Sequence, residues 1–377
     1  MRILLYTIEM VKGVERLMPW RTLVEVARYA PSDIQIAICS AQKPKPERVY
    51  QGVKIYSIDY GTAALAKFVE TGGWDVVYYP ITYRQGLKNM SELSAINARK
   101  IAYIPGGMCP LSGSLKLMQM GEAKRALPYL LDTITPHKWI AKKMQDLGFE
   151  AIVTQAPLTA KDATDSGWKK AITALPGIDK VDESRCDYSL LHKLGVYGHK
   201  YVLFSGAPAP TRGAILAMKA FDQIAEKLPG IRMVMLMRKD VSSDFTEFDK
   251  AVKQINHKDR FVISYEKLTH EQLLGAFREA WAVMLPFLIV PSEIPLTYFE
   301  VMQQGTPVLT FNNGGTTDYL YEGLKIAKQR SIKSLAKAIE EICINANERK
   351  QLADNAKRLM SNHPTWEETS KKWLSIL

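Results

Sequence analysis

Several things are scarce in this chain of 377 residues, and each scarcity narrows its chemistry. Its four cysteines, Cys39, Cys109, Cys186 and Cys343, are widely scattered and form no CxxC pair. That spacing argues against a zinc site or a disulfide framework and for a reducing, cytoplasmic setting. No apolar run approaches the ~20 residues that a membrane span needs. The opening Met1-Arg2-Ile3-Leu4-Leu5-Tyr6-Thr7 soon meets Glu9 and Lys12, so it reads as a buried strand and not as a signal peptide. No GxxxxGK[ST] motif occurs, and no GxGxxG follows the first strand. P-loop phosphoryl transfer and a dinucleotide cofactor are therefore unsupported. HExxH and GxSxG are missing too, as is the DxD pair that would hold a metal on a nucleotide diphosphate. The expectation is chemistry with no metal and no bound cofactor.

What is present suits a globular protein of two domains. Hydrophobic residues make up 47% and charged residues 24%, ordinary fractions for a chain of this length. Formal net charge is +11, and residues 1–180 carry 24 Lys and Arg against 16 Asp and Glu. The basic excess sits mainly in the first half. Such a field favours an anionic partner: lipid headgroups, a phosphorylated acceptor or nucleic acid. A mixed, solvated surface accounts for it equally well, since no run of five like charges occurs.

Hydrophobic patterning alternates along the chain. Strands are expected at 3–7, 34–39, 53–58, 76–79 and 100–104, a helix over 16–29, and a helical region over 115–131. Residues 133–153 read as strand, helix, strand. A second series starts at Lys200, with strands at 201–204, 231–237, 261–264, 281–285 and 307–311. Helices fall between them at 212–228, 246–256, 269–279 and 296–304. Thr269 and Gln272 fit a capping box. Residues 160–199 are polar and without clear periodicity, and the inter-domain connection is placed there. Two α/β units with parallel sheets follow from this alternation, and ligands of such sheets bind beyond the strand C-terminal ends.

Three strand-end segments in the second half carry candidate chemistry. Ser205-Gly206-Ala207-Pro208-Ala209-Pro210-Thr211-Arg212-Gly213 leads into a helix, and an Arg beside a helix start suits a phosphate. Pro291-Ser292-Glu293-Ile294-Pro295-Leu296-Thr297-Tyr298-Phe299-Glu300 places a carboxylate early in a helix, where it can accept both hydroxyls of a ribose. Asn312-Asn313-Gly314-Gly315-Thr316-Thr317-Asp318 forms a Gly-Gly turn whose backbone N–H groups can meet anionic oxygens. Each of these, taken singly, also suits an ordinary turn or a solvated helix face.

In this order, residues 286–318 resemble the donor-binding signature of retaining glycosyltransferases of family 4, which have the GT-B fold. Glu300-Val301-Met302 matches the second glutamate and its helix. Gly305-Thr306-Pro307-Val308 matches the glycine-proline strand entry, and Gly314-Gly315 with Asp318 matches the turn. The likeness extends more weakly to Gly13-Val14-Glu15-Arg16 as the first glycine loop and to Pro176-Gly177-Ile178-Asp179. It extends also to Gly206–Gly213 as the phosphate loop, with Arg212 on the family's lysine position, and to Trp366-Glu367 at the C-terminus.

The resemblance implies two Rossmann-like α/β domains with parallel sheets facing a central cleft. Residues 1–185 would bind the acceptor and residues 186–360 the nucleotide-diphosphate sugar, a substrate and not a cofactor. Residues 361–377 would cross back to the first domain. Arg212, Glu293 and Glu300 are the implied catalytic residues, and the configuration at the anomeric carbon would be retained. Donor contacts are assigned to Gly13, Gly206, Arg212, Arg238, Ser292, Glu300, Gly314, Gly315 and Thr316. The acceptor would be a glycan, a lipid-linked sugar or another anionic molecule, with peripheral contact at the inner membrane face as an option.

The chain departs from the family pattern at three places. The family's paired glutamates are separated by seven residues, and counting back from Glu300 gives Ser292, with Glu293 one place late. Ala207 stands where the phosphate loop often has an arginine, and Arg238 or Lys239 is the candidate replacement. Tyr103-Ile104-Pro105-Gly106-Gly107 lacks the family's histidine. The six histidines (137, 192, 199, 257, 270, 363) read as surface or partly packed residues. These departures keep open a non-catalytic nucleotide-sugar or nucleic-acid-binding module, a sugar-nucleotide epimerase and a nucleic-acid glucosyltransferase. Two further features concern an acceptor. Residues 114–120 with Lys124-Arg125 combine apolar and basic character, as either a membrane-surface contact or a Met-rich core helix. Trp74, Tyr78, Tyr79 and Tyr83 form an aromatic set suited to stacking or to a buried strand end.

Overall fold

The computed structural model describes residues 1–43, 45–88, 90–107, 110–179, 183–239, 244–290 and 292–377. Cys109 and Pro291, both quoted above, fall outside the described residues. The first sheet has eight strands: β1 Arg2–Ile8, β2 Gln35–Ala41, β3 Arg48–Tyr50, β4 Val53–Ile58, β5 Val76–Pro80, β6 Arg99–Tyr103, β7 Phe149–Thr154 and β8 Ala171–Thr173. Their spatial order is β3-β4-β2-β1-β5-β6-β7-β8, and every pairing except β3 with β4 is parallel. The second sheet has six: β9 Tyr201–Gly206, β10 Arg232–Met237, β11 Phe261–Ser264, β12 Ala282–Leu285, β13 Val308–Phe311 and β14 Leu324–Ala327. Their order is β11-β10-β9-β12-β13-β14, all parallel.

Helices cover both faces of each sheet, which is why the central strands are continuous apolar runs and not alternating ones. Ile3 to Thr7 are all buried, as are Met233 to Met237. Each strand C-terminal edge therefore opens into loops that meet between the two sheets.

Four local expectations are corrected. Residues 133–153 hold no first strand: the helices Ala123–Ile134 and His137–Asp146 fill that stretch before β7. The helical region 115–131 is two helices, Leu111–Gln119 and Ala123–Ile134, parted at Gly121. Residues 16–19 stay outside the first helix, which is Trp20–Arg28. The stretch 160–173 is not a linker, because the helix Pro157–Asp165 and β8 complete the first sheet.

Two segments tie the halves together. The helix Trp366–Leu374 starts with a capping box between Thr365 and Glu368 and buries Trp373 completely in the core of the first sheet. Tyr78 donates from its hydroxyl to the Trp373 carbonyl at 2.9 Å, and Ser370 donates to the Val26 carbonyl at 2.8 Å. Truncating a core Trp of this kind costs about 3–5 kcal/mol. In the other direction, Leu117 and Ala126 of the helical pair 111–134 are fully buried in the core of the second sheet, among Phe204, Met284 and Leu288.

Candidate active site

The phosphate-loop candidate is shaped by one glycine. Gly213 has φ +74, and a Cβ on it would lie 2.2 Å from the Pro286 carbonyl. Only glycine permits both the left-handed backbone and this approach of the β9 loop to the β12 loop. The Leu288 N–H then donates to the Thr211 carbonyl at 2.8 Å, and the helix Ala214–Asp222 begins directly after Gly213. The Arg212 guanidinium, partly exposed, sits 4.7 Å over the Phe287 ring.

A second arginine stands at the end of the neighbouring strand β13, over the Phe311 ring. Arg330, in the turn after β14, donates to the Asn312 carbonyl and to Asn313 Oδ1, the latter at 3.2 Å. The Tyr298 hydroxyl shares a 2.7 Å hydrogen bond with Thr310 Oγ1, to which Asn313 Nδ2 also donates at 3.4 Å. Burial pushes the Tyr298 phenol up to about 12, against the pull of Thr310, Asn313 and the Arg212 and Arg330 charges. Arg330 was not anticipated because β14 was not: Leu324-Lys325-Ile326-Ala327 is too short and mixed a run to announce itself as a strand.

The two glutamates lie at opposite ends of one segment. Glu300 is on the helix Leu296–Gln303, partly exposed. Burial raises its carboxyl above the usual range; His270, Arg21 and Arg238 pull against this, while Asp179 adds to it. Arg21 comes from the first domain and pairs with Asp179. Glu300 is thus surrounded by charge from both halves of the chain. Arg238 follows β10, and its N–H donates to the Gly206 carbonyl at 2.8 Å.

Glu293 and Ser292 are both buried, at 2% and 4% exposure, so the ambiguity between them turns on contacts. Glu293 Oε2 accepts the backbone N–H of Gln155, the first residue beyond β7 in the other domain. Oε1 has no hydrogen-bond partner among the described residues. Desolvation pushes the carboxyl up to about 8, although the Thr159 hydroxyl and the Gln155 N–H favour the ionised form. The carboxyl at 293 therefore bridges the two domains, one place later than the family spacing. The Ser292 carbonyl lies against Gly107, where an added Cβ would sit 3.0 Å away.

The Gly-Gly turn behaves differently from the expectation of free amides. The Gly314 N–H is taken by Asn312 Oδ1 at 3.2 Å. Thr316 donates from its hydroxyl to the Glu293 carbonyl at 2.6 Å, which fixes the acid's backbone. Gly315 is the point of close approach, since a Cβ there would lie 2.8 Å from the Ala156 Cβ. The turn thus sets the separation of the two domains.

Gly13, on the first-domain side, has φ +101 and donates its N–H to Glu15 at 2.6 Å, and Glu15 pairs with Arg48. The structure joins it to this loop network and not to Glu293 or Glu300. The aromatic set is divided. Trp74 and Tyr78 are core residues, while Tyr83 belongs to a polar group unseen in the sequence. Its hydroxyl donates to Asp162 at 2.7 Å, its ring stacks on His137 at 3.5 Å, and His137 Nδ1 lies 2.8 Å from the same carboxylate. Burial opposes charge on His137, and Asp162 outweighs it and holds the imidazole above its usual range. Burial also raises the Tyr83 phenol, with Asp162 and then Glu293 among the further causes, so this group stands within electrostatic reach of Glu293. His363 is likewise not a surface residue: it is buried, with Nδ1 2.8 Å from the Tyr319 hydroxyl and Nε2 2.7 Å from the Pro176 carbonyl. Among the described residues no group of three His, Cys, Asp or Glu side chains is placed to hold a metal.

Two parallel α/β sheets facing each other across these loops define the GT-B fold of glycosyltransferases. Residues 193–359 match the family described as Glycosyl transferases group 1. The fold of the whole chain is similar to that of sucrose-phosphate synthase from Thermosynechococcus elongatus, with a TM-score of 0.72 at 13% identity, covering 100% of this chain and 98% of that one. It is similar also to Anabaena HepE, solved with UDP and glucose, at a TM-score of 0.70 and 14% identity over 100% of both chains. A curated relative, spore coat protein SA of Bacillus subtilis, is 23% identical over 207 residues, which cover 49% of this chain and 50% of that protein. The chain thus spans about half the length of that relative.

Proposed function

We propose that the chain transfers a sugar from a nucleotide-diphosphate sugar, with retention of anomeric configuration and without a metal, to a glycan, a lipid-linked sugar or another anionic acceptor. The observation that carries this reading is that Arg212, through Phe287, and Arg330, through Asn313 and Thr310, are both linked to Tyr298, which lies between Glu293 and Glu300 on one segment. The two guanidiniums would neutralise the diphosphate as it leaves, where transition-state charge develops. Glu300 would accept the ribose hydroxyls, with Arg238 beside it. Glu293, held protonated at neutral pH by its burial, would donate from Oε1 to a sugar hydroxyl. Gly206 and the 314–316 turn would shape the donor's bed. The acceptor would lie on residues 1–185, the donor on 186–360, with 361–377 returning to the first domain. Closure would exclude water and favour transfer over hydrolysis. HepE, of the same fold, was solved with UDP and glucose, which supports a nucleotide-sugar donor here.

The test is calorimetric titration with UDP, GDP, ADP, CMP and dTDP, with and without chelator, on the wild type and Glu300→Ala. One nucleotide should bind whether or not chelator is present. The substitution should weaken it about tenfold to a hundredfold, the range for a hydrogen bond to a charged group. Equal affinity in the two proteins would remove Glu300 from the donor site. No binding of any nucleotide would favour a different kind of module.

A further inference from the structure

The helices that dock on the second domain turn an unexpected face outward. On Leu111–Gln119 the buried side consists of Gly113, Ser114 and Leu117. Leu111, Leu115 and Met118, spaced i, i+4, i+7, are all exposed and lie on one stripe of the helix. The neighbouring helix repeats the pattern: Leu127 is 52% exposed and Ile134 60%, seven residues apart. The next helix, His137–Asp146, adds an exposed Trp139 with the Lys143 ammonium 5.2 Å from its ring centroid. Lys143 in turn donates to the Lys88 carbonyl at 2.7 Å, which places the exposed Leu87 beside the same surface. Adjacent exposed apolar side chains in such number are uncommon on a protein surface that meets only water.

The charge around them has one predominant sign. Residues 111–146 contain six Lys and Arg (Lys116, Lys124, Arg125, Lys138, Lys142, Lys143) against Glu122, Asp132 and Asp146. Asp132 is engaged by Arg84 from outside this stretch, while Glu122 and Arg125 offset each other. Exposed apolar side chains on the same helices as an excess of ammonium groups, with Lys143 against Trp139, match the layered chemistry of an anionic bilayer: phosphates outside, acyl chains within. A protein partner with a matching apolar patch would not need the lysines. No helix among the described residues is long and apolar enough to cross a membrane, so the contact would be peripheral.

We propose that the exposed face of helices 111–146 docks on an anionic lipid surface. The same pair of helices is seated by Leu117 and Ala126 in the core of the donor-binding domain. Docking would therefore hold the mouth of the cleft at the membrane, where a lipid-linked acceptor arrives. This deepens the acceptor side of the transferase reading and rests on it only for what the lipid would deliver.

Flotation with vesicles tests it. The wild type should float with vesicles of phosphatidylcholine and phosphatidylglycerol in equal parts, and not with phosphatidylcholine alone. The triple variant Leu115→Ser, Met118→Ser, Leu127→Ser should lose at least tenfold in bound fraction with an unchanged circular dichroism melt. Tyr321→Ser with Ile344→Ser, exposed on the second domain, should bind as wild type does. Charge reversal at Lys116 and Lys142 should lower binding, most clearly at low salt. Equal flotation of wild type and triple variant, or none for either, would overturn the proposal. So would a dimer abolished by the triple substitution in a protein that never floats. Nucleotide titration on the same variants separates the two readings: flotation without nucleotide binding would leave the docking face standing and the transferase reading without support.

Discussion

The carboxyl of Glu293, in the second domain, accepts the backbone N–H of Gln155, in the first. A buried acid is thereby made part of the contact that holds the domains together. Its carboxyl moves from an ordinary 4.5 up to about 8, chiefly through desolvation. The folded chain then keeps a proton that the unfolded chain releases, so stability falls as pH rises from about 4.5 to about 8. The loss would amount to several kcal/mol at most, at about 1.4 kcal/mol per pKa unit. Glu293→Gln should flatten this slope in urea unfolding measured across that window. An unchanged slope would mean that the acid ionises without cost.

Arg330 gives a sharper test of the proposed donor site, because sequence patterning did not single it out. Arg330→Ala should weaken nucleotide-diphosphate binding about tenfold or more, as expected for losing a charge-assisted hydrogen bond. Binding of the matching nucleoside, which has no phosphate, should change little. Calorimetry on both ligands would check it, and equal losses would show a collapsed site instead of a missing charge.

His363 should behave as a neutral strut. Burial drives its imidazole down to about 4 from an ordinary 6.5. Its contribution is present above pH 6.5 and lost as pH falls toward 4, because the unfolded chain takes up a proton that the folded one refuses. The effect is at most about 3 kcal/mol. His363→Gln should reduce the acid-side drop in stability between pH 7 and pH 5, read by chemical denaturation. If the drop were as steep as in the wild type, the imidazole would be charging freely in the fold.

The sequence was informative where a strand is buried on both faces. Runs such as Ile3–Thr7 and Met233–Met237 carry their own apolar signature, and the strand-end loops follow from them. It was uninformative where pairing, and not composition, makes the strand. β8 is three half-buried residues completed by the edge of β7, and β14 is four residues with a lysine among them. Missing β14 hid Arg330, and missing β8 misplaced the linker. The position of Glu293 was read as ambiguous with Ser292, since one residue of slip in a loop leaves no periodic trace. The Tyr83–His137–Asp162 group joins residues 25 and 79 positions apart, a juxtaposition that only the fold creates.

The chain crosses between the two sheets near residue 178 and again near residue 365, and Ile178 and Thr365 pair there as a parallel bridge. His363 ties the second passage to the Pro176 carbonyl of the first. Laced side by side, the two crossings are held to each other as one joint. Any parting of the two sheets would separate Glu293 from Gln155 and Gly315 from Ala156 together, and would also have to draw Leu117 and Ala126 out of the second core.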